Sequence, residues 1–366
     1  MPPLPPAAAS SAPTLERHRE ESLFAFCEAA LVAAGADAAT AEAASRAMLH
    51  GSRFGVDSHG VRLLDHYVTV IEGGRVTGRP NLHFSEGAAA VATLEADHAH
   101  GARAAYAAMD RAMEKAAVYG IGAVAIRDSS HFGAAGAYAL AAAEKGFLGL
   151  AFCNSDSFVR LHGGAERFHG TNPVAMGAPV AGEDPWLLDM ATSAIPYNRV
   201  LLYRSLEQQL PPEVASDAAG HDTINPHAVE MLAPLGAAFG FKGAALAGVV
   251  EIFSAVLTGA RLSFDIAPMG GPDFATPRNV GAFVMALKPG AFLPEVQFDA
   301  AMRRYRDTLR GSRAANGDMV MAPGDREWRV AAQRRAEGIP IDPATAQAFD
   351  RIAARFALPR PAPVQG

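Results

Sequence analysis

Two of the twelve histidines stand in settings where a side chain can do chemistry. In Asp57-Ser58-His59-Gly60-Val61 a histidine sits between a hydroxyl and a glycine, so the backbone can turn sharply and present the ring to a cleft. In Ser129-Ser130-His131-Phe132-Gly133 a second one lies between an apolar run ending near Arg127 and a helical stretch beginning near Ala134. That is a strand-to-helix turn, where open α/β sheets hold ligands. Imidazole suits proton transfer in either direction, because its ordinary pKa of about 6.5 keeps both protonation states accessible near neutrality. Each ring alone reads equally well as a turn residue bonded to backbone; the two together point to acid/base work. Ser58 and Asp57 offer partners for a protonated ring, whereas a helix N-terminus opposes one at His131, so His59 is the favoured proton carrier.

Three further segments set small polar or cationic groups beside apolar runs, as a cofactor amide, ribose or phosphate requires: Gly170-Thr171-Asn172-Pro173, Leu188-Asp189-Met190-Ala191-Thr192-Ser193 and Phe241-Lys242-Gly243. Lys242 opens an otherwise apolar helix, Phe241 to Leu257, where a buried unpaired charge is expensive, and is expected to contact the cofactor. Other motifs carry less. Gly120 to Ala125 fits the dinucleotide fingerprint in letters but follows a helix and opens a strand, the reverse of what the fingerprint needs, and reads as a helix stop. Gly236 to Gly243 resembles a triphosphate loop only loosely, since Lys242 lacks a glycine before it and a hydroxyl residue after it. His98-Ala99-His100 suits a polar turn before a helix. The competing enzyme class is a metal-dependent hydrolase or lyase with His59, His98, His100 and His131 as ligands, and a third reading is a binding protein without turnover.

The elements that must position these residues follow from periodicity. Apolar steps from Leu15 to Ala34 predict an amphipathic helix stopped by Gly35, and a second helix runs from Thr40, as N-cap, to Gly51. A helix over Ala102 to Tyr119, closed by Gly120, leads into a strand over Ile121 to Ile126; a helix over Ala134 to Lys145 leads into a strand over Leu148 to Phe152. This alternation implies an α/β architecture with a partly parallel sheet. Leu206 to Gly240, with four prolines, reads as a long irregular connection. A strand over Asn279 to Leu287 and surface helices over Asp299 to Leu309 and Arg326 to Glu337 complete the pattern.

A chain of 366 residues with half its residues apolar and a fifth charged supports one body of two lobes. Its net charge of −6, without a long basic run, argues against a nucleic-acid partner and for small molecules. Cys27 and Cys153 cannot build a disulfide framework or a four-cysteine zinc site, which fits a reducing, cytoplasmic setting. Residues 1–14 read as a loose tail without the basic start and apolar run of a secretory signal. Lys242 and Glu251 interrupt the most apolar segment, Phe241 to Ala260, so no membrane span is expected.

Taken in order, Asp57-Ser58-His59-Gly60-Val61, Ser130-His131-Phe132-Gly133 with Gly136 and Tyr138, Gly170-Thr171-Asn172-Pro173, Asp189-Met190-Ala191-Thr192-Ser193, Lys242-Gly243, and Pro323-Gly324-Asp325 with Gly338-Ile339-Pro340 resemble the malate/L-lactate dehydrogenase family called type 2. That family also holds sulfolactate, ureidoglycolate and diketogulonate oxidoreductases and cyclic imino acid reductases. The resemblance spans Leu15 to Asp342. It implies an α/β, non-Rossmann NAD(P)-binding fold with a mixed sheet and helical N- and C-terminal segments, and hydride transfer between NAD or NADP and a small 2-hydroxy or 2-oxo acid, with a cyclic imine as the alternative substrate. It implies a homodimer with active sites near the subunit contact. Residues 15–125 with 275–366 would form the substrate and dimerisation lobe, and 126–274 the cofactor lobe. Cofactor contacts are implied at Asn154, Thr171, Asn172, Asp189, Met190, Ala191, Thr192, Ser193, Lys242, Pro323, Gly324 and Asp325, and proton transfer at His59 or His131 beside Ser58. The chain departs from the family pattern at three places. The usual Arg four residues after the first His is Leu63, which leaves Arg62 to clamp the substrate carboxylate. Asn198-Arg199 replaces a Gly-Lys, and Asp325 replaces a Glu.

Overall fold

Seven strands form the sheet that carries the site, in the order His83–Glu86, Val91–Glu95, Ile121–Ser129, Val280–Leu287, Leu148–Cys153, Val174–Val180 and Glu183–Met190. The computed structural model describes residues 15–315 and 317–364, so the tail expected at 1–14 lies outside the described residues. One neighbouring pair, Val91–Glu95 with Ile121–Ser129, is parallel; the other five pairs are antiparallel. The two strands expected from helix–strand alternation do point the same way, but Val280–Leu287 lies between them, antiparallel to both. Its near-continuous apolar sequence and burial are those of a central strand covered on both faces.

Helices Gly101–Tyr119 and Gly136–Ala143 lie close on the sheet because small residues meet at the contact. A side chain at Gly122 would collide with the Ala112 carbonyl, and one at Gly177 with that of Ala139. Gly120 ends the first of these helices at φ 82°, in the left-handed region that favours glycine. The helical N-terminal segment makes a second core, with Leu23, Leu31, Met48 and Leu64 closing on Phe349 and Ile352 from the C-terminal helix Pro343–Phe356.

Several boundaries differ from the sequence reading. The first helix is Glu20–Ala33, because Glu16–His18 pairs as a strand with Ile339–Ile341. The second is Ala38–Arg53, capped by Asp37 and not Thr40: the Asp37 carboxylate accepts from the Thr40 N–H at 2.7 Å. The apolar helix is α-helical over Phe241–Glu251 and widens to a π turn over Ile252–Val256. The connection 206–240 holds only two-residue strands and short 3-10 turns. The boundary drawn at residues 125 and 126 falls within strand Ile121–Ser129, so the sheet runs across both expected lobes.

Candidate active site

The two histidine loops are brought together by helices packed behind them. Asp57–His59 and Val61–Leu63 are short 3-10 turns following helix Ala38–Arg53. Gly51 of that helix lies directly against the His59 carbonyl, where a side chain would collide, and the Ser52 hydroxyl accepts from the Val61 N–H at 3.0 Å. The His131 loop runs from the end of strand Ile121–Ser129 to helix Gly136–Ala143. Behind it, the Gly101 N–H donates to the Ser130 hydroxyl at 3.0 Å, and the buried Tyr138 hydroxyl donates to the Phe132 carbonyl.

The His59 and His131 rings then stack, 5.6 Å between centroids and 25° from parallel. Each Nδ1 is held: that of His59 by the Ser58 hydroxyl at 2.9 Å, that of His131 by the buried Tyr67 hydroxyl at 2.9 Å. Tyr67, on helix Leu64–Glu72, also receives the His100 ring edge-on at 4.2 Å. Burial holds His59 below the ordinary imidazole range. It holds His131 well below, reinforced by the charges of His59, Arg278, His66 and His100. Burial likewise lowers His66 to about 4, with Arg278 and Arg75 adding to it, and His100 to about 3. The cluster is therefore neutral at physiological pH.

Two sequence arguments about these rings change. Asp57 does not serve His59, since its carboxylate pairs with Arg334, Nη2 to Oδ2 at 2.8 Å. The helix after His131 begins at Gly136, more than a turn away, where a dipole has weakened. His100 spends its Nδ1 capping helix Gly101–Tyr119, accepting from the Ala102 N–H at 3.1 Å. No group of three or more His, Cys, Asp or Glu arranged to hold a metal occurs among the described residues, so the four-histidine metal site is not assembled. Arg62 is exposed on its 3-10 turn, and its charge acts on Asp342.

The segments expected at the cofactor converge beside strand Glu183–Met190. The Thr192 N–H and hydroxyl both donate to the Thr171 carbonyl, the Leu235 N–H donates to the Thr192 carbonyl at 2.9 Å, and Gly243 packs on Leu235 so closely that a side chain would collide. Met190 and Ala191 lead into this junction, and the Ser193 hydroxyl donates to the Ile195 carbonyl at 2.9 Å. Lys242 is exposed at the helix N-terminus, its ammonium 5.3 Å from the Phe239 ring and paired with no carboxylate among the described residues. An unpaired cation beside free helix N–H groups suits a phosphate, so the donor set fits a dinucleotide. Asp189 lies under the first turn of helix Gly136–Ala143; burial pushes its carboxyl up to about 6, against the lowering effect of the Gly136 N–H. Gly324, at φ 96°, starts helix Asp325–Glu337; the Pro323 carbonyl accepts from the Leu187 N–H at 3.3 Å, and Asp325 pairs with Arg310, Nε to Oδ2 at 3.0 Å.

Asn154 and Asn172 turn their amides inward. Asn154 donates to the Arg261 carbonyl at 2.8 Å and accepts from the Gly281 N–H at 3.1 Å; Asn172 donates to Glu251 Oε2 at 2.8 Å. Glu251 also accepts from the Ser263 N–H and hydroxyl, at 2.7 and 2.6 Å. This buried network ties the apolar helix to the sheet. Sequence reasoning missed Glu251, Tyr67 and Arg278. Only Glu251 carried a signal, a lone acid in an apolar helix, which was read as evidence against a membrane span.

Residues 19–350 match the family model described as malate/L-lactate dehydrogenase. Malate dehydrogenase of Pyrococcus abyssi is 33% identical over 347 residues, 93% of this chain and 94% of that protein. A Delta(1)-pyrroline-2-carboxylate/Delta(1)-piperideine-2-carboxylate reductase of Pseudomonas putida is 32% identical over 307 residues, 82% of this chain and 87% of that protein. The crystal structure of malate dehydrogenase from Entamoeba histolytica superposes with a TM-score of 0.89 at 25% identity, covering 95% of this chain and all of that one.

Proposed function

Because the chain belongs to the malate/L-lactate dehydrogenase family, we propose that its histidine pair moves the proton while the Thr192–Lys242 junction holds the nicotinamide cofactor. The chain is an NAD(P)-dependent oxidoreductase of small 2-hydroxy and 2-oxo acids. Bound NAD(P) accepts or supplies the hydride.

The observation that carries the proton assignment is the Tyr67–His131 hydrogen bond. A base oriented by a buried group from another element keeps one tautomer and one ring angle, the logic by which a third residue orients a catalytic histidine. With Nδ1 anchored, His131 presents Nε2. Neutral at pH 7, it takes the hydroxyl proton when the alcohol is oxidised and returns it to the oxygen when the ketone is reduced. His59, held by its neighbour Ser58 and deprived of Asp57, packs against His131 and orients the substrate. The substrate carboxylate requires a cation beside this pair. Lys242, the backbone of Thr171 and Asp189 to Ser193, and Pro323 to Asp325 are the cofactor contacts.

A homodimer accounts for Phe241, Val249, Ile252, Val256 and Leu257, large apolar side chains left exposed along one helix. The alanine-rich N-terminal helices, by contrast, bury their small residues within the protomer. Two buried free thiols, Cys27 and Cys153, fit the cytoplasm, and no helix among the described residues is long and apolar enough to cross a membrane. The similarity to the imino acid reductase supports a cyclic imine as the second reading. The deciding experiment follows reduced-cofactor absorbance with pyruvate, oxaloacetate, a larger 2-oxo acid and a cyclic imino acid, each with NADH and NADPH. No oxidation of either cofactor with any of them would refute the proposal.

A further inference from the structure

We propose that Arg278 is the carboxylate clamp of this enzyme, reaching the substrate from the sheet side of the histidine pair; this rests on the 2-oxo acid reading above. The position four residues after His59 is Leu63, which packs partly buried against the helical core and has no charge to offer. Arg62, the neighbouring cation, is exposed and sits on a turn leading toward Asp342. A buried carboxylate-binding site without a cation would leave the substrate anion unpaired, at a cost far above that of a lost surface contact. The clamp must therefore come from elsewhere in the fold.

Strand pairing brings Arg278 to the site. Val280 is paired with Ser129 across the antiparallel ladder. Two residues beyond that pair, back along one strand and forward along the other, stand Arg278 and His131. Arg278 is almost wholly buried, and its guanidinium is gripped from behind: Nε donates to the Ala267 carbonyl at 2.8 Å and Nη2 pairs with Asp156. Asp156 is fixed in turn by the Met269 N–H at 3.3 Å. The remaining nitrogen, Nη1, has no protein partner among the described residues. The Arg278 charge also acts on both His131 and His66, which places the cation near the two rings. A planar fork with two positions secured and one free is preorganised for an anion, and little side-chain entropy remains to be lost on binding. Held beside His131, it would fix the 2-oxo acid with its carbonyl oxygen toward the histidine pair.

The test uses full-length protein with reduced cofactor bound and oxamate, a non-reacting 2-oxo acid mimic, titrated by calorimetry. R278Q should weaken oxamate by about 10- to 150-fold, the worth of one lost charged hydrogen bond, while cofactor affinity stays close to wild type and the melting temperature falls, because Asp156 loses its partner. R278K, which keeps the charge and the Asp156 pair but loses the fork, should fall between, and R62A should bind oxamate as wild type does. In turnover, wild type should prefer pyruvate to pyruvamide and R278Q should lose that preference. Should R278Q not fold, R278K is read alone, and unchanged oxamate affinity in it overturns the clamp. Loss of binding in R62A with none in R278Q also overturns it and returns the role to Arg62. A wild type that binds no oxamate and reduces no 2-oxo acid overturns the underlying reading itself, a result separate from any behaviour of the variants.

Discussion

Tyr67→Phe removes one oxygen and nothing else, at a position that is 2% exposed. In the native protein that oxygen lies 2.9 Å from His131 Nδ1. Without it the ring nitrogen is left buried with no partner, since the neighbouring Ser130 hydroxyl and Phe132 carbonyl are already taken by the Gly101 N–H and the Tyr138 hydroxyl. An unsatisfied buried polar group costs about 1–3 kcal/mol. Where the cost falls on the orientation of the proton-transferring ring, it appears in turnover as a loss of about 5- to 150-fold, at 1.36 kcal/mol per tenfold. Because Tyr67 does not touch the cofactor junction, the affinity for NAD(P)H should be unchanged. The assay is steady-state kcat and KM for oxidation and reduction, with cofactor affinity from fluorescence titration. A kcat within twofold of wild type in both directions, in a folded variant, would refute the claim that Tyr67 orients the base.

Lys242→Ala should weaken cofactor binding by about 1–3 kcal/mol, as expected for a lost charged hydrogen bond, without lowering the melting temperature; equal affinity in the two proteins, by titration of reduced cofactor, removes Lys242 from the site. Burial lowers His50 and His100 each to about 3, so they bind protons less readily in the folded state than in the unfolded chain. Their effect is absent above about pH 6.5 and grows as the pH falls toward 3, costing roughly 2 kcal/mol each by pH 5. His50→Gln should therefore lose less urea resistance than wild type between pH 7 and 5, and parallel losses would contradict this. Ile252→Asp, at the exposed apolar helix, should shift a micromolar dimer toward monomer in sedimentation; a wild-type monomer with full activity would count against the dimer.

Periodicity and glycine placement made most helices and sheet strands legible, because those signals are local. Gly120 announced the end of one helix and the start of strand Ile121–Ser129 in the same few letters. The insertion of Val280–Leu287 between two earlier strands was not legible, since nothing local distinguishes a strand that returns from 130 residues away from one that adds to an edge. At the site, both histidine loops were found from residue type and turn context. Side-chain direction was not: Asp57 beside His59 faces Arg334, and Asn154 and Asn172 spend their amides on the interior. Tyr67 escaped notice because a tyrosine on the buried face of an amphipathic helix has the same spacing whether its hydroxyl holds a histidine or merely fills space. The cap read at Thr40 lies at Asp37, where a side-chain carboxylate reaches the N–H of the third helical residue.

The late arrival of strand Val280–Leu287 has a consequence for biosynthesis. A nascent chain emerging from the ribosome can pair its first three strands, and separately its next three, but the two halves present unfilled edges to each other until residue 287 is free. Such long-range pairing makes for slow folding and a prolonged exposure of strand edges to aggregation. The same strand pairing sets Val280 against Ser129, two residues from Arg278 and His131, so no shorter intermediate holds those two residues in register.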